Sequence, residues 1–235
     1  MTRISLAVFD VGGTTVRDTA DVPKVLAEAL ENYGIKTKPS LLKQWRGLSK
    51  REIISELVKK DSENRVNSEL IYQKFQELMI KALDKHGVEA IPGVEEAFGL
   101  LRANGCQVFL TTGFDSRIMD FIIARLNWEE IIDGVVTADD VSRGRPEPDL
   151  IYTAMHRASV TGVKSVVSVG DTVNDLRAAQ RAGVGISIAV LTGAHDKKQL
   201  STISHTVILK SAVDVPKWLA NRNWFCDSHY LNLNA

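Results

Sequence analysis

Cysteine is nearly absent from this chain of 235 residues: only Cys106 and Cys226 occur. Two thiols so far apart make no disulfide framework, and a reducing cytoplasm is the expected setting. Net charge is lacking too, since 29 Lys plus Arg offset 29 Asp plus Glu. Binders of a nucleic-acid backbone or an anionic membrane carry a basic face, so neither is expected as a partner, and any phosphate recognition has to be local. The opening MTRISLAVFD reaches a carboxylate and then Gly12 and Gly13, too short an apolar run for a signal peptide or a membrane span. The five histidines (86, 156, 195, 205 and 229) show no HExxH or paired metal spacing, and CxxC is missing, so zinc is not expected. Gly162-Val163-Lys164-Ser165 lacks the adjacent Gly-Lys of a P-loop, and ATP is not implied. Gly185-Ile186-Ser187-Ile188-Ala189 lies in an apolar run and ends in Ala, which reads as strand rather than as a nucleophile elbow.

What is present is a globular composition, 44% hydrophobic and 25% charged, long enough for one substantial core or a core plus a small accessory domain. Ile4 to Phe9 is apolar without alternation and stops at Asp10, as expected of a strand buried on both faces of a parallel sheet. Similar runs follow at Gln107–Leu110, Gly134–Thr137, Ser165–Val169, Gly185–Val190 and, more weakly, His205–Leu209. Helical patterns separate them. One starts at Pro92, with Val94, Ala97, Phe98, Leu100 and Leu101 in a stripe and Gly105 past its end. The others are Asp115–Leu126, Pro148–Ala158, Asn174–Ala182 and Ala212–Ala220. This alternation predicts an α/β fold with a parallel sheet flanked by helices.

Residues from about 20 to 87 break that rhythm, with helical patterns at Val22–Tyr33, Lys50–Lys60 and Asn67–Lys85 and no convincing strand. The expected division is a helical insertion, residues 19–87, in a core made of 1–18 and 88–235. Ligands of open α/β sheets bind beyond the carboxyl ends of the strands, so an insertion leaving one such end would sit over the site as a lid. The last fifteen residues, NRNWFCDSHYLNLNA, follow no period. Trp224, Phe225 and Tyr230 are expected to pack on the core or meet a partner.

Four features fall at strand ends. Asp10, followed by Gly12, Gly13 and Thr14, can be a covalent nucleophile with glycines admitting a phosphoryl oxygen, or simply a strand-to-loop turn. Thr111-Thr112-Gly113 places hydroxyls where they can bond a phosphoryl oxygen, although Thr is common in strands. Gly144-Arg145-Pro146 offers a guanidinium that can bind phosphate and offset the nucleophile's charge; otherwise it is a surface-loop arginine. Asp171-Thr172-Val173-Asn174-Asp175 supplies hard oxygen ligands suited to Mg²⁺, or a helix cap from Asp171 or Asn174 with Asp175 near the helix start.

In this order the four motifs resemble the haloacid dehalogenase superfamily of hydrolases, over nearly the whole chain. The resemblance implies a Rossmann-like core with an α-helical cap inserted after the first strand, and Mg²⁺ as cofactor. It implies Asp10 as the nucleophile that becomes an aspartyl phosphate, with Thr112, Gly113 and Arg145 holding the transferring group. The metal would be held by Asp10, the Gly12 backbone carbonyl and Asp171, with Asp175 a ligand or the support of one. Phosphatases and mutases of the superfamily generally have DxDGT, whose second Asp protonates the leaving oxygen and later activates water. Here Gly12 stands in that place and has no side chain for proton transfer. Losing that acid typically costs about 10² to 10⁴ in rate.

The phosphonatase branch has a small residue at this position and a cap lysine that forms a Schiff base with the substrate aldehyde. FDVGGTTV, LTTGF, VTADDVSRGRPEP and VGDTVNDL are similar to it. Arg46-Gly47-Leu48-Ser49-Lys50 resembles its lysine segment, which implies Lys50 at the imine position and Arg46 beside the substrate. A protonated imine is an electron sink, so cleavage of a P–C bond leaves no oxygen in need of a proton. Lys50 also opens a charged stretch, Lys50-Arg51-Glu52, where it can be an ordinary solvated side chain or a phosphate clamp. The chain departs from the branch at Ala20, Ile53 and Phe114, where phosphonatases carry Cys, His and Tyr. A phosphatase of a small ester such as phosphoglycolate or a sugar phosphate, or a catalytically silent binding protein, is therefore the alternative. The expected partner is a small phosphonate or phosphorylated substrate, and the expected state a cytoplasmic monomer or homodimer.

Overall fold

The computed structural model describes residues 3–38, 41, 45, 47–60 and 66–225. In chain order its main elements are β1 (Leu6–Asp10), α1 (Val22–Glu31), α2 (Lys50–Lys60), α3 (Ser68–His86), α4 (Val94–Ala103), β2 (Gln107–Thr111), α5 (Ser116–Leu126) and β3 (Gly134–Val136). Then come α6 (Asp149–Arg157), β4 (Val166–Gly170), α7 (Val173–Ala182), β5 (Ile186–Val190), α8 (Lys197–Leu200), β6 (Val207–Leu209) and α9 (Val215–Ala220). The strands form one parallel sheet in the order β3-β2-β1-β4-β5-β6.

β1 holds the centre of the sheet, where Leu6 lies opposite Gln107 on one side and Val166 on the other. Every residue of β1 is buried, which is why its sequence has no polar alternation. Leu6 and Val8 join an apolar cluster with Leu150 and Ile151 of α6 and Ala178 and Ala179 of α7. Ala7 and Phe9 face the other way, in a cluster with Val94, Phe98 and Leu101 of α4 and Ile118, Met119 and Ile122 of α5. Phe98 is packed edge-on between Phe9 and Trp128, at 5.3 and 5.5 Å between ring centroids. The two faces make the three-layer, Rossmann-like architecture expected of the sequence.

The second cluster continues into α1, α2 and α3 through Leu26, Ile54 and Phe75, so the inserted helices bury their apolar stripes against one another and against the core. Tyr72 of α3 donates to the Asp115 carboxylate, which also accepts the Ile118 N–H at 3.0 Å and so caps α5. The chain enters and leaves the insertion along one path. Arg17 N–H donates to the Glu89 carbonyl and Ile91 N–H to the Thr15 carbonyl, both at 2.8 Å, and the Thr19 hydroxyl donates to the Gly87 carbonyl at 2.8 Å.

Several boundaries differ from the sequence reading. Ala212–Asp214 is a tight turn capped by Ser211, and α9 begins only at Val215, with Pro216 in its first turn where a missing N–H costs nothing. α8 was not anticipated; its Asp196 and Gln199 form a capping box. The cap of α7 is neither Asp171 nor Asn174 but Thr172, reciprocated by Asp175. Trp224 and Phe225 pack against the core, and the Trp224 carbonyl accepts the Ile4 N–H at 3.1 Å; Cys226 and Tyr230 lie outside the described residues. Among the described residues no helix is long and apolar enough to cross a membrane.

Candidate active site

Parallel strands end on one edge of the sheet, and there the separated motifs meet. Asp10 ends β1 in register with Thr111 at the end of β2, and Asp171 follows β4. The connection from β3 to α6 brings in Arg145, whose peptide to Pro146 is cis. Arg145 is only 4% exposed, which rules out the surface-loop alternative. One guanidinium nitrogen donates to Asp10 at 2.5 Å and to Asp175, and the other donates to the Thr111 carbonyl at 2.9 Å. Burial alone would lower the Arg145 pKa, but Asp10 and Asp175 raise it, so the guanidinium stays charged.

Both oxygens of Asp171 are fixed, one by the Thr14 hydroxyl at 3.1 Å and the other by the Ala194 N–H at 2.6 Å. Glycine is required around it. A Cβ on Gly193 would lie 1.9 Å from an Asp171 oxygen, and one on Gly13, where φ is +86°, would lie 2.8 Å from it. Asp175 accepts the Thr172 N–H at 2.9 Å and the Thr172 hydroxyl at 2.5 Å on the oxygen that Arg145 does not take. Gly12 is different: a Cβ there would meet nothing within 4 Å.

Asp10, Asp171 and Asp175 each offer an oxygen within 4.8 Å of the others. Three buried carboxylates gather around the Arg145 guanidinium, and the crowding moves the pKa values of Asp10 and Asp171. Burial pushes the Asp10 carboxyl up to about 6, Arg145 offsets this in part, and Asp175 adds to it. Asp171 is held well above the usual carboxylate range by burial, then by Asp10 and Asp175. Acids crowded in this way favour an additional positive charge, and an all-oxygen donor set could hold a hard metal ion.

Above this edge lies an open cavity lined by Asp10, Gly12, Thr112, Gly113, Lys50 and Asp171. The Thr112 hydroxyl accepts the Phe114 N–H at 3.1 Å and retains a proton to donate. Lys50, at the start of α2, is 7% exposed and donates to the Leu48 carbonyl at 2.7 Å, so it is not an ordinary solvated lysine. The segment that carries it rests directly on the core. A Cβ on Gly113 would lie 2.8 Å from the Leu48 carbonyl oxygen, one on Gly47 2.8 Å from the Thr172 hydroxyl, and Glu52 accepts the Gly144 N–H at 2.9 Å. Arg46 lies outside the described residues.

Thr14, Gly193, Ala194 and Glu52 were not anticipated as parts of this site. The loop after β5 could have been found by the same strand-end rule that located Asp171. Glu52 could not, because it reads as one more charge on a solvated helix face.

Fold and site together define an α/β enzyme with a carboxylate-rich centre at the carboxyl edge of a parallel sheet. The chain belongs to the haloacid dehalogenase-like hydrolases, whose family model matches residues 7–190. It is similar to the phosphonoacetaldehyde hydrolase of Bacillus cytotoxicus, 28% identical over 208 residues that span 83% of this chain and 78% of that protein. In fold it is similar to a phosphonoacetaldehyde hydrolase-like protein from Oleispira antarctica, with a TM-score of 0.79 at 21% identity over 94% of this chain and 92% of that one. The β-phosphoglucomutase of Clostridium difficile superposes with a TM-score of 0.78 at 14% identity, over 94% and 97% of the two chains.

Proposed function

We propose that this hydrolase cleaves the P–C bond of a small 2-oxo phosphonate, using Asp10 as covalent nucleophile and Lys50 as imine-forming amine, with Mg²⁺ as cofactor. Residues 19–87 act as the cap and residues 1–18 and 88–235 as the catalytic core. The observation that carries the reading is that buried Lys50 and Asp10 share one cavity, while position 12, beside them, has no side chain to protonate a leaving oxygen. The name carried by the Bacillus cytotoxicus relative supports it.

Lys50 Nζ condenses with the substrate carbonyl, releasing water and leaving a protonated imine. Asp10 then attacks phosphorus; a P–O bond forms, the P–C bond breaks, and its electron pair passes into an enamine, neutralising the imine nitrogen. Water hydrolyses the aspartyl phosphate to phosphate and free Asp10. Protonation of the enamine at carbon and hydrolysis release the carbonyl product and restore Lys50. Arg145, Thr112 and Gly113 hold the phosphoryl oxygens, Arg145 with a permanent charge, and Arg46 is assigned to the same group. Mg²⁺ held by Asp10, the Gly12 carbonyl and Asp171, with Asp175 a ligand or the support of one, would offset charge on those oxygens.

A second reading, a phosphatase of a small ester with Lys50 as a phosphate clamp, is favoured by Ala20 and Phe114, which line the cavity without a group that can relay a proton. A substrate panel with Mg²⁺ separates the two. Phosphonate turnover is expected to vanish in both Asp10→Asn and Lys50→Ala, and borohydride with substrate is expected to mark Lys50 in the wild type. Ester turnover that survives Lys50→Ala, with no trapped adduct, would establish the phosphatase. No release dependent on Asp10 from any substrate would leave a silent binding protein.

A further inference from the structure

The turn of α2 that presents Lys50 also presents Glu52, and the two side chains meet different parts of the core. Lys50 lines the cavity with Asp10. Glu52 crosses to the connection between β3 and α6, where its carboxylate accepts the Gly144 N–H at 2.9 Å. Gly144 is buried and directly precedes Arg145. Its carbonyl accepts the Glu147 N–H at 3.0 Å, so one of its backbone groups is satisfied within the loop and the other by the insertion. The fit is close, because a Cβ on Gly144 would lie 3.1 Å from the Ser49 Cβ and 3.6 Å from each Glu52 carboxylate oxygen. Arg51, between Lys50 and Glu52, pairs with Asp139 of the same connection at 3.7 Å. A glutamate that supplies the partner of a buried backbone N–H is more than one charge on a solvated face, since such a donor left unpaired costs more than the bond itself contributes.

The head of Arg145 is anchored by Asp10, Asp175 and the Thr111 carbonyl. A phosphoryl group held by that guanidinium has to take over part of this bonding, and the backbone that carries the side chain then decides where the head lies. We infer that Glu52 is a positioning residue. Through the Gly144 N–H it fixes the backbone in front of Arg145 and seats the turn of α2 that brings Lys50 to Asp10, so that the phosphoryl-holding and amine ends of the site are assembled together. This rests on the proposed roles of Arg145 and Lys50 and adds a residue that acts through them.

The charge of Glu52 works against this role in one respect, because a carboxylate near a phosphate site repels the phosphate. Glutamine separates the two effects, keeping an acceptor oxygen and losing the charge. Glu52 is exposed on the first turn of its helix, and both alanine and glutamine are good helix formers, so both variants are expected to fold. The test measures two quantities in the Mg²⁺-loaded wild type, Glu52→Ala and Glu52→Gln. One is the affinity for inorganic phosphate by calorimetry; the other is the rate at which formaldehyde and cyanoborohydride methylate Lys50, mapped by mass spectrometry. In Glu52→Ala, phosphate is expected to bind about fivefold more weakly and Lys50 to be labelled about fivefold faster, the equivalent of one net hydrogen bond. Glu52→Gln is expected to stay close to the wild type in both. A phosphate affinity unchanged or raised in Glu52→Ala overturns the inference, leaving Glu52 a tether of the helix or a source of charge. A lowered affinity with unaltered labelling of Lys50 overturns the joint assembly of the two ends. Equal losses in both variants overturn the assignment to the Gly144 hydrogen bond. Failure of phosphate to bind the wild type overturns the phosphoryl site itself, and with it the reading on which the inference depends.

Discussion

Asp10 and Gly12 are two residues apart and show opposite constraints. Asp10 is buried and held by Arg145, so even Asp10→Asn changes what the neighbours bond to. Gly12 is unconstrained: its φ lies outside the left-handed region and open space surrounds its missing Cβ. Gly12→Asp is therefore expected to fold with little change in melting temperature. Under the proposed chemistry it supplies the absent proton donor beside Asp10, and turnover of phosphate monoesters is expected to rise by about 10² to 10⁴. Steady-state kinetics on simple esters check this; an unchanged rate in a folded variant would show that proton supply is not what position 12 limits. At this scale Asp10, Arg145, Asp171 and Asp175 were legible in the sequence because each follows or faces the end of an apolar run. Thr14 and the Ala194 N–H were not, since a threonine in a Gly-rich turn and a backbone donor carry no residue-type signal for the distant carboxylate they bond.

Elements were legible where burial imposes a pattern. The strands of the sheet are apolar runs because helices cover both faces, whereas four-residue α8 is too short to show a period. Between β3 and α6 a smaller device fixes the loop that carries Arg145. Asp140 accepts the Thr137 N–H at 2.7 Å and hydroxyl at 2.9 Å, and pairs with Arg157 in the last turn of α6, which also donates to the Val135 carbonyl at 2.5 Å. Burial raises the Asp140 pKa, but Arg157 and Thr137 more than offset it and hold the carboxyl below its usual range. A depressed acid contributes stability above its unfolded pKa and loses it as pH falls through the folded one. Asp140→Asn is expected to cost at most about 1 kcal/mol near neutral pH, given the solvent exposure of Arg157. The difference in urea midpoint from wild type is expected to shrink below about pH 4; a difference independent of pH would show that the charge of Asp140 is not what counts.

For the whole molecule, equal numbers of acids and bases conceal a local imbalance, since three carboxylates meet in one buried site. Mg²⁺ that binds only the native state stabilises it by an amount that grows with the logarithm of its concentration above Kd, about 2.7 kcal/mol at a hundredfold excess. Adding Mg²⁺ to chelator-treated protein is expected to raise the melting temperature, and Asp171→Asn to abolish the rise. A rise that persists in Asp171→Asn would place the ion elsewhere. Composition could reveal the neutrality but not the clustering, which depends on residues far apart in the chain meeting at one edge. That long-range closure bears on how the molecule is made. β1 is the first strand to be synthesised, yet Leu6 pairs only with Gln107 and Val166. Its apolar residues have no sheet partner until nearly half of the chain has emerged, and no partner on the second side until β4, while the intervening helices form from local contacts. Folding is therefore expected to be slow relative to helix formation, with the nascent chain most prone to aggregation before β4 arrives.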